Sequence, residues 1–514
     1  MQGKKGYQEK LFTHFQLSDR VPKDNFYRQL KEVLDLTFLY DLTNCYYGDC
    51  GQKSIDPVVF YKLCLVGYLE NIISDRKLMN HCRMRLDILY FLDYDIDDTL
   101  PWHSTISLTR QLFPEELFEQ VFTKVFEMCV AKGMVSGHIQ AIDSAPVKAN
   151  ASMDSLELKV PEEELESHLR KVRYISNMDR KSKEDKATNE QQIITASRSE
   201  LQELRSRNKK WKKDQDERPG AKSKHSKYTS NKTHYSPTDP DARISVKPGK
   251  ARKLNYQSQL SLDTANHVIT DIKAYHADKK DNQYLQDIIE RLQPRLQNQG
   301  LLFRNCVADT GYSSGENYSY LEKKGILSYI PPHGTYKGGP DGFSYNKEGD
   351  YWVCAQKEHV TFRKVVFEGR NKDNKKRLYL TKPSQCKGCP IASSCKGKSP
   401  EKRITITYYK DEYNRGIARV NSKRGRYMKS KRQSTVEPVF GSLTQFFGMR
   451  KVNTRGIKQA NKVMLMSASA YNLKKYLKYF PQKQKTGVKV AKATLHYFLL
   501  KIEGKMNGYK PLTI

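Results

Sequence analysis

The chain has 514 residues, room for two to four domains or for one domain with large insertions. It carries 90 Lys and Arg against 57 Asp and Glu, a formal net charge of +33 spread along its length, which points to a polyanionic partner such as nucleic acid. No run reaches the roughly 18 apolar residues of a membrane-spanning helix, MQGKKGYQEKLF lacks the apolar run of a secretory signal, and ten irregularly spaced cysteines suggest reduced thiols; an intracellular protein with no membrane partner is expected.

Residues 25–135 read as helical. Phe26 to Phe38 places apolar residues at helical spacing. Pro57 suits a first helical turn and Ser54 or Asp56 can cap it, opening a helix through VVFYKLCLVGYLENI. Ser74 can cap DRKLMNHCRMRLDILYFL, Ser104 or Thr105 can open ISLTRQLF, and a further helix follows Pro114 to about Lys132. The period changes after Gly137, where HIQAID predicts a strand ending on Asp143. A polar, charged insertion runs from about 152 to 235, helical in its first part and a basic linker in RPGAKSKHSKYTSNKTHYSP; it either touches DNA or is a solvated helical hairpin.

YQSQLSLD and HVITDIKAYHA, flanking TAN, predict an antiparallel hairpin. A helix over about 282–293 should end or kink at Pro294. LLFRNCVAD predicts a strand ending on Asp309, ENYSYLEKKG a helix and ILSYIP a strand. From about 334 to 420, short β-like runs (YWVC, VTFRKVVFE, RLYLT, RITITYY) surround four cysteines. The basic segment NSKRGRYMKSKRQS leads into a helix in TVEPVFGSLTQFF, and IKQANKVMLMSASAYNLKKYLKYF predicts a long amphipathic helix.

Three acids stand out, each with a structural explanation of its own. Asp143 can cap a turn with Ser144, Asp309 precedes the turn pair Thr310-Gly311, and Ser434 and Glu437 have capping-box spacing. Their joint placement carries more weight: the end of a first strand, the end of a later central strand, and a C-terminal helix. A ribonuclease H-like sheet brings those places together. Carboxylates bind Mg2+, which activates a water or hydroxyl for attack on a phosphodiester. Lys148 and Arg432 are candidate phosphate contacts, with exposed surface side chains as the other reading. Cys386-x2-Cys389-x5-Cys395 opens like a zinc knuckle, with Cys354 as fourth ligand and His359 as the second choice. Four thiolates would make a closed, structural Zn2+ site; free thiols in a loop are the alternative.

The chain resembles the DDE transposases of bacterial insertion sequences. VVFYKLCLVGYLENIISDRKLMNHCRMRLDILYFL followed by HSTIS resembles their N-terminal helical domain, and DSAPVKANAS their first-Asp motif. TDPDARISVKPGK with YQSQLSLD resembles the stretch that re-enters the sheet, and VADTGYSSGENY the second-Asp motif. TVEPVFGSL with NKVMLMSASAYNLKKYL resembles the Glu helix and the segment after it. The five motifs stand in the family's order over about residues 20–480.

The resemblance implies an α/β fold: a ribonuclease H-like mixed sheet with flanking helices, an N-terminal all-α domain, and inserted helical and cysteine-containing β-rich segments. Residues 1–135 would be the DNA-binding domain and 136–480 the catalytic domain, with insertions at about 152–235 and 334–420 and a tail at 481–514. Asp143, Asp309 and Glu437 would be the metal-binding triad for Mg2+ or Mn2+. The partners implied are transposon terminal inverted repeats, target DNA and a second copy of the chain, in a bacterial cytoplasm at the nucleoid. One departure concerns DNA holding: relatives often carry Lys or Arg about two helical turns after the Glu, where this chain has Thr444, with Arg450 and Lys451 the next basic residues. Two other functions compete with transposition: a transposase-derived DNA-binding protein that has lost cutting, and a related structure-specific nuclease.

Overall fold

Helix-forming sequence without strand signals opens the chain. The computed structural model describes residues 16–48, 54–161, 195–199, 202, 230–245, 252–334, 339–368 and 374–479. Its described residues up to 131 form helices α1 to α8: Leu17–Arg20, Phe26–Val33, Leu39–Thr43, Pro57–Leu69, Asp75–Arg83, Leu86–Leu92, His103–Leu112 and Glu115–Ala131. Asp56 caps α4 by accepting from the Val58 and Val59 N–H groups, with Pro57 in the first turn. Two expected helices are shorter than their apolar spacing suggests. The run from Phe26 stops at Val33 because Leu34 is extended, and the run after Ser74 breaks into α5 and α6 because Arg85 is extended.

Six strands form the main sheet: β1 (Ile139–Lys148), β2 (Arg243–Ser245), β3 (Lys253–Asp263), β4 (Val268–His276), β5 (Asn305–Ala308) and β6 (Leu327–Tyr329). The order is β6-β5-β1-β3, with β2 and β4 sharing the far edge of β3. β3 runs antiparallel to β1, while β5 and β6 run parallel to it. Successive side chains of β1 enter different cores: Ala141 joins the one built with α4, α8 and the last helix, and Ile142 the one built with α9 (Leu285–Asn298) and α10 (Gly315–Lys323).

α9 does not end at Pro294. It continues to Asn298, because Leu292 and Leu296 are both buried and Arg295 is anchored at 2.7 Å to the buried Asp271. Those contacts outweigh one lost helix hydrogen bond.

After β6 the chain builds a separate antiparallel sheet, β7 (Ser344–Asn346), β8 (Tyr351–Val353), β9 (His359–Glu368), β10 (Asn374–Leu380) and β11 (Arg403–Thr407), in sequential order. Trp352, Val360, Tyr379, Ile404 and Ile406 form its small core. The short helix α11 (Ala392–Lys396) precedes β11, and α12 (Lys410–Asn421) follows it. Next, α13 spans Lys423–Phe446 as one helix, capped by Ser422, whose side chain accepts from Gly425 N–H. The basic lead-in is therefore helical, and Ser434 lies inside α13, donating to Lys431 O at 3.1 Å, instead of capping a new helix with Glu437.

The last described helix, α14 (Ile457–Lys478), is not amphipathic: every residue from 460 to 473 is buried. α8, α4 and β4 pack against it from several sides, and a helix enclosed all round needs no polar stripe. The predicted helices of the 152–235 insertion fall mostly outside the described residues; what is described there is Glu157–Leu158 paired with His234–Tyr235 and Val160–Pro161 paired with Thr195–Ala196. The 481–514 tail lies outside them as well. No described helix is long and apolar enough to cross a membrane.

Candidate active site

Strand register brings two of the sequence-picked acids side by side. The last parallel pair between β1 and β5 is Ile142 with Ala308. Asp143 and Asp309 are the next residue of each chain segment, so both stand at the carboxyl end of that parallel pair. Contrary to the expectation, Asp143 does not end its strand; β1 runs on to Lys148, pairing Asp143 with Leu260 of β3. The antiparallel partner holds the strand where the parallel one has left it. Asp309 caps the turn Thr310–Tyr312, accepting from Gly311 N–H at 2.9 Å.

A third carboxylate, which sequence reasoning missed, completes the cluster. A methyl group on Gly311 would stand 3.0 Å from Asp309 Oδ1 and 3.1 Å from Asp281 Oδ2. Asp281 Oδ1 accepts from Gln259 Nε2 at 2.9 Å and also from Gln257 Nε2, which reaches Ser144 Oγ at 3.2 Å. Tyr312, fully buried, donates its hydroxyl to Gln259 Oε1. Two glutamines of β3 thus hold Asp281 beside Asp309. Asp281 sits in HADKKDNQ, a polar loop with no strand to end and no motif to mark it, so only the alternate polar positions of QSQL hinted at a hydrogen-bonded site.

The Asp143 carboxyl is pushed up to about 6, first by burial and further by the neighbouring Asp309 and Asp281, while the Ser144 N–H and Arg432 pull it down. Arg432 Nη1 lies 2.6 Å from Asp143 Oδ2, and Ser144 N–H donates to Oδ1 at 2.7 Å. Arg432 is therefore engaged by a carboxylate. Its guanidinium offsets part of the negative charge gathered there.

Glu437 is exposed on α13. It lies five residues from Arg432, which places it about 140° around the helix from the side that reaches Asp143. Among the described residues no group of three His, Cys, Asp or Glu side chains is set to hold a metal ion. Asp143 and Asp309 are neighbours by strand register, and Asp281 stands beside Asp309.

The thiols do not converge either. Cys354, Cys386, Cys389 and Cys395 are free and partly buried, and they do not form the four-thiolate site their spacing suggested. Cys386 Sγ lies instead 3.2 Å from Thr381 Oγ1. The small core of the second sheet holds this segment without them.

The remaining basic residues gather at the far end of β1. Lys148 and Lys451 form a parallel bridge, with Lys148 N–H donating to Arg450 O at 3.3 Å and Val452 N–H to Lys148 O at 2.9 Å. Lys148 and Arg450 are exposed, and Lys148 and Lys451 line an open cavity of about 510 Å3. Thr444 turns its hydroxyl onto Phe440 O at 2.8 Å.

Residues 15–112 match the family described as "Transposase domain (DUF772)", and residues 353–477 match "Transposase DDE domain". No curated protein matches. Among solved structures, a Mos1 transposase paired-end complex with left transposon end is 10% identical over 61% of this chain and 73% of its own, at a TM-score of 0.16. A piggyBac transposase synaptic complex with hairpin DNA is 11% identical over 89% and 79%, at 0.23. TM-scores this low add nothing to the two domain matches. Those matches frame the described site, one ahead of β1 and the other carrying α13 and α14, and by them the chain carries the transposase domain and the transposase DDE domain.

Proposed function

We propose that the protein is a DNA transposase that cuts DNA at transposon ends and joins it to a target by metal-dependent phosphodiester chemistry. The observation that carries this is the placement of Asp143 and Asp309 as adjacent continuations of the Ile142–Ala308 pair, beside a third carboxylate. The strand order β4-β3-β1-β5-β6, with only β3 antiparallel, supports a ribonuclease H-like core.

Asp143 and Asp309 would hold Mg2+ or Mn2+, and Glu437, on the helix that reaches Asp143 through Arg432, would have to turn toward them to complete the ligand set. When bound, the cation activates a water or a 3′ hydroxyl and stabilises the departing oxygen. Asp281 and the Gln257–Gln259 pair fix the turn that presents Asp309. Arg432 neutralises Asp143 until it is needed. Lys148, Arg450 and Lys451 lie beyond the acids along β1 and would track the DNA backbone. The N-terminal helices would read the transposon ends, and two copies would act together on two ends.

The test is Asp309→Asn in the full-length protein. A neutral amide is a poor ligand for Mg2+, so DNA cleavage should fall at least a thousandfold while binding to terminal-repeat DNA stays within about threefold. Cleavage at the parent rate would rule the reading out.

A further inference from the structure

At the end of the sheet away from Asp143, a cavity of about 550 Å3 opens between the β3–β4 turn and the C-terminal ends of α13 and α14. The turn abuts the start of β1, where Thr264 N–H donates to Ile139 O at 3.2 Å. His267, Phe446 and Tyr471 line the cavity together with Lys474, Lys475 and Lys478 of α14. No carboxylate lines it among the described residues.

Its parts differ in how far they are committed to the fold. Lys475 Nζ donates to Asn266 O at 2.6 Å and so braces the wall. Lys474 Nζ lies 5.4 Å from the centre of the Phe447 ring, and Lys478 is exposed. Phe446 keeps 59% of its surface exposed at the end of α13. Lysines in a last helical turn complement the helix dipole, and here they also set positive charge beside a half-exposed aromatic ring.

We propose that this cavity is a second nucleic-acid site that takes one unpaired nucleotide, with Phe446 stacking on the base and Lys474 and Lys478 meeting the flanking phosphates. An aromatic face accepts any base, and lysines on phosphates make binding salt-dependent. The cavity has room for one nucleotide and not for the width of a duplex. The site stands apart from the carboxylates and does not rest on the metal chemistry proposed above.

The experiment is fluorescence anisotropy of a labelled single-stranded oligonucleotide of about 20 nucleotides, titrated with the full-length protein across a salt series. Lys474→Glu with Lys478→Glu should weaken binding at least about tenfold and make the log–log salt slope shallower by about 1.4, the value for two phosphates. Phe446→Ala should weaken it about five- to a hundredfold and leave the slope unchanged. Lys474→Gln with Lys478→Gln serves if the charge reversal fails to fold, and should reproduce the slope change. Parent-like affinity and slope in these variants, with circular dichroism unchanged, would overturn the proposal. So would an equal loss on blunt duplex DNA. Asp309→Asn should bind the single strand like the parent, so this site and the catalytic reading fail separately.

Discussion

Asp143 is pulled in two directions, and its protonation follows from which one wins. Burial and two neighbouring carboxylates raise its pKa from 3.8 to about 6 in spite of Arg432. That corresponds to roughly 3 kcal/mol against the charged form. Because the folded value is the higher one, Asp143 favours folding below about 3.8, and this contribution is lost as pH climbs through about 6. A divalent cation offsets the loss only once the carboxyl is ionised. Magnesium should therefore raise the thermal unfolding midpoint by a few degrees at pH 8 and leave it unmoved near pH 4.5; an equal rise at both would show that it binds elsewhere. Asp281 acts on the same group from the side. Asp281→Asn removes a like charge and loosens the turn at Asp309, so cleavage should drop about tenfold or more and the acid limb of its pH profile should move to lower pH. A drop in rate with the limb unmoved would make Asp281 merely structural. The sequence marked Asp143 and Asp309 because each follows an apolar strand. It could not mark Asp281, whose position depends on glutamines 22 and 24 residues away.

Among the elements, α14 does the most to hold the sheet. Asn472 Oδ1 accepts from Ile269 N–H and its Nδ2 donates to Ile269 O, both at 2.9 Å, while Asn461 Oδ1 accepts from Ala274 N–H at 2.9 Å. Two asparagines three helical turns apart thus bond to the outer edge of β4, where no further strand pairs among the described residues. Asn472→Leu fits the apolar surroundings but leaves a buried N–H and C=O without partners, so it should cost about 2–5 kcal/mol, read as a fall in the urea midpoint. A loss under about 1 kcal/mol would mean that water or a shifted strand replaces the amide. Element types were legible wherever the apolar period was strong: the β3–β4 hairpin and all four β-like runs of the second sheet are strands. Boundaries were not. Pro294 and Pro438 both lie inside helices, because tertiary packing repays a missing hydrogen bond and local sequence does not record that packing. The run of α14 read as an amphipathic helix for the same reason.

At the scale of the whole molecule, one apolar core runs from Leu17 to Leu473 and takes in α4, α8, the main sheet, α13 and α14. Lys462 of α14 reaches across it, donating to Arg110 O at 2.8 Å and Phe113 O at 2.6 Å at the end of α7. The N-terminal helices therefore lean on the far end of the chain. A fragment ending near residue 135 should expose the α8 surface that α14 covers and fail to reach a cooperative fold. Thermal unfolding followed by circular dichroism checks this, with a sharp transition in the fragment as the contrary result.

That shared core has a consequence during synthesis. The ribosome releases α4 and α8 long before it has made α14. At about 5–20 residues per second, the interval is on the order of tens of seconds. Through that time the side of α8 that α14 covers in the finished protein stays open. Apolar surface exposed for that long makes a nascent chain prone to aggregate, and a chain cut short before α14 would keep that surface open for good.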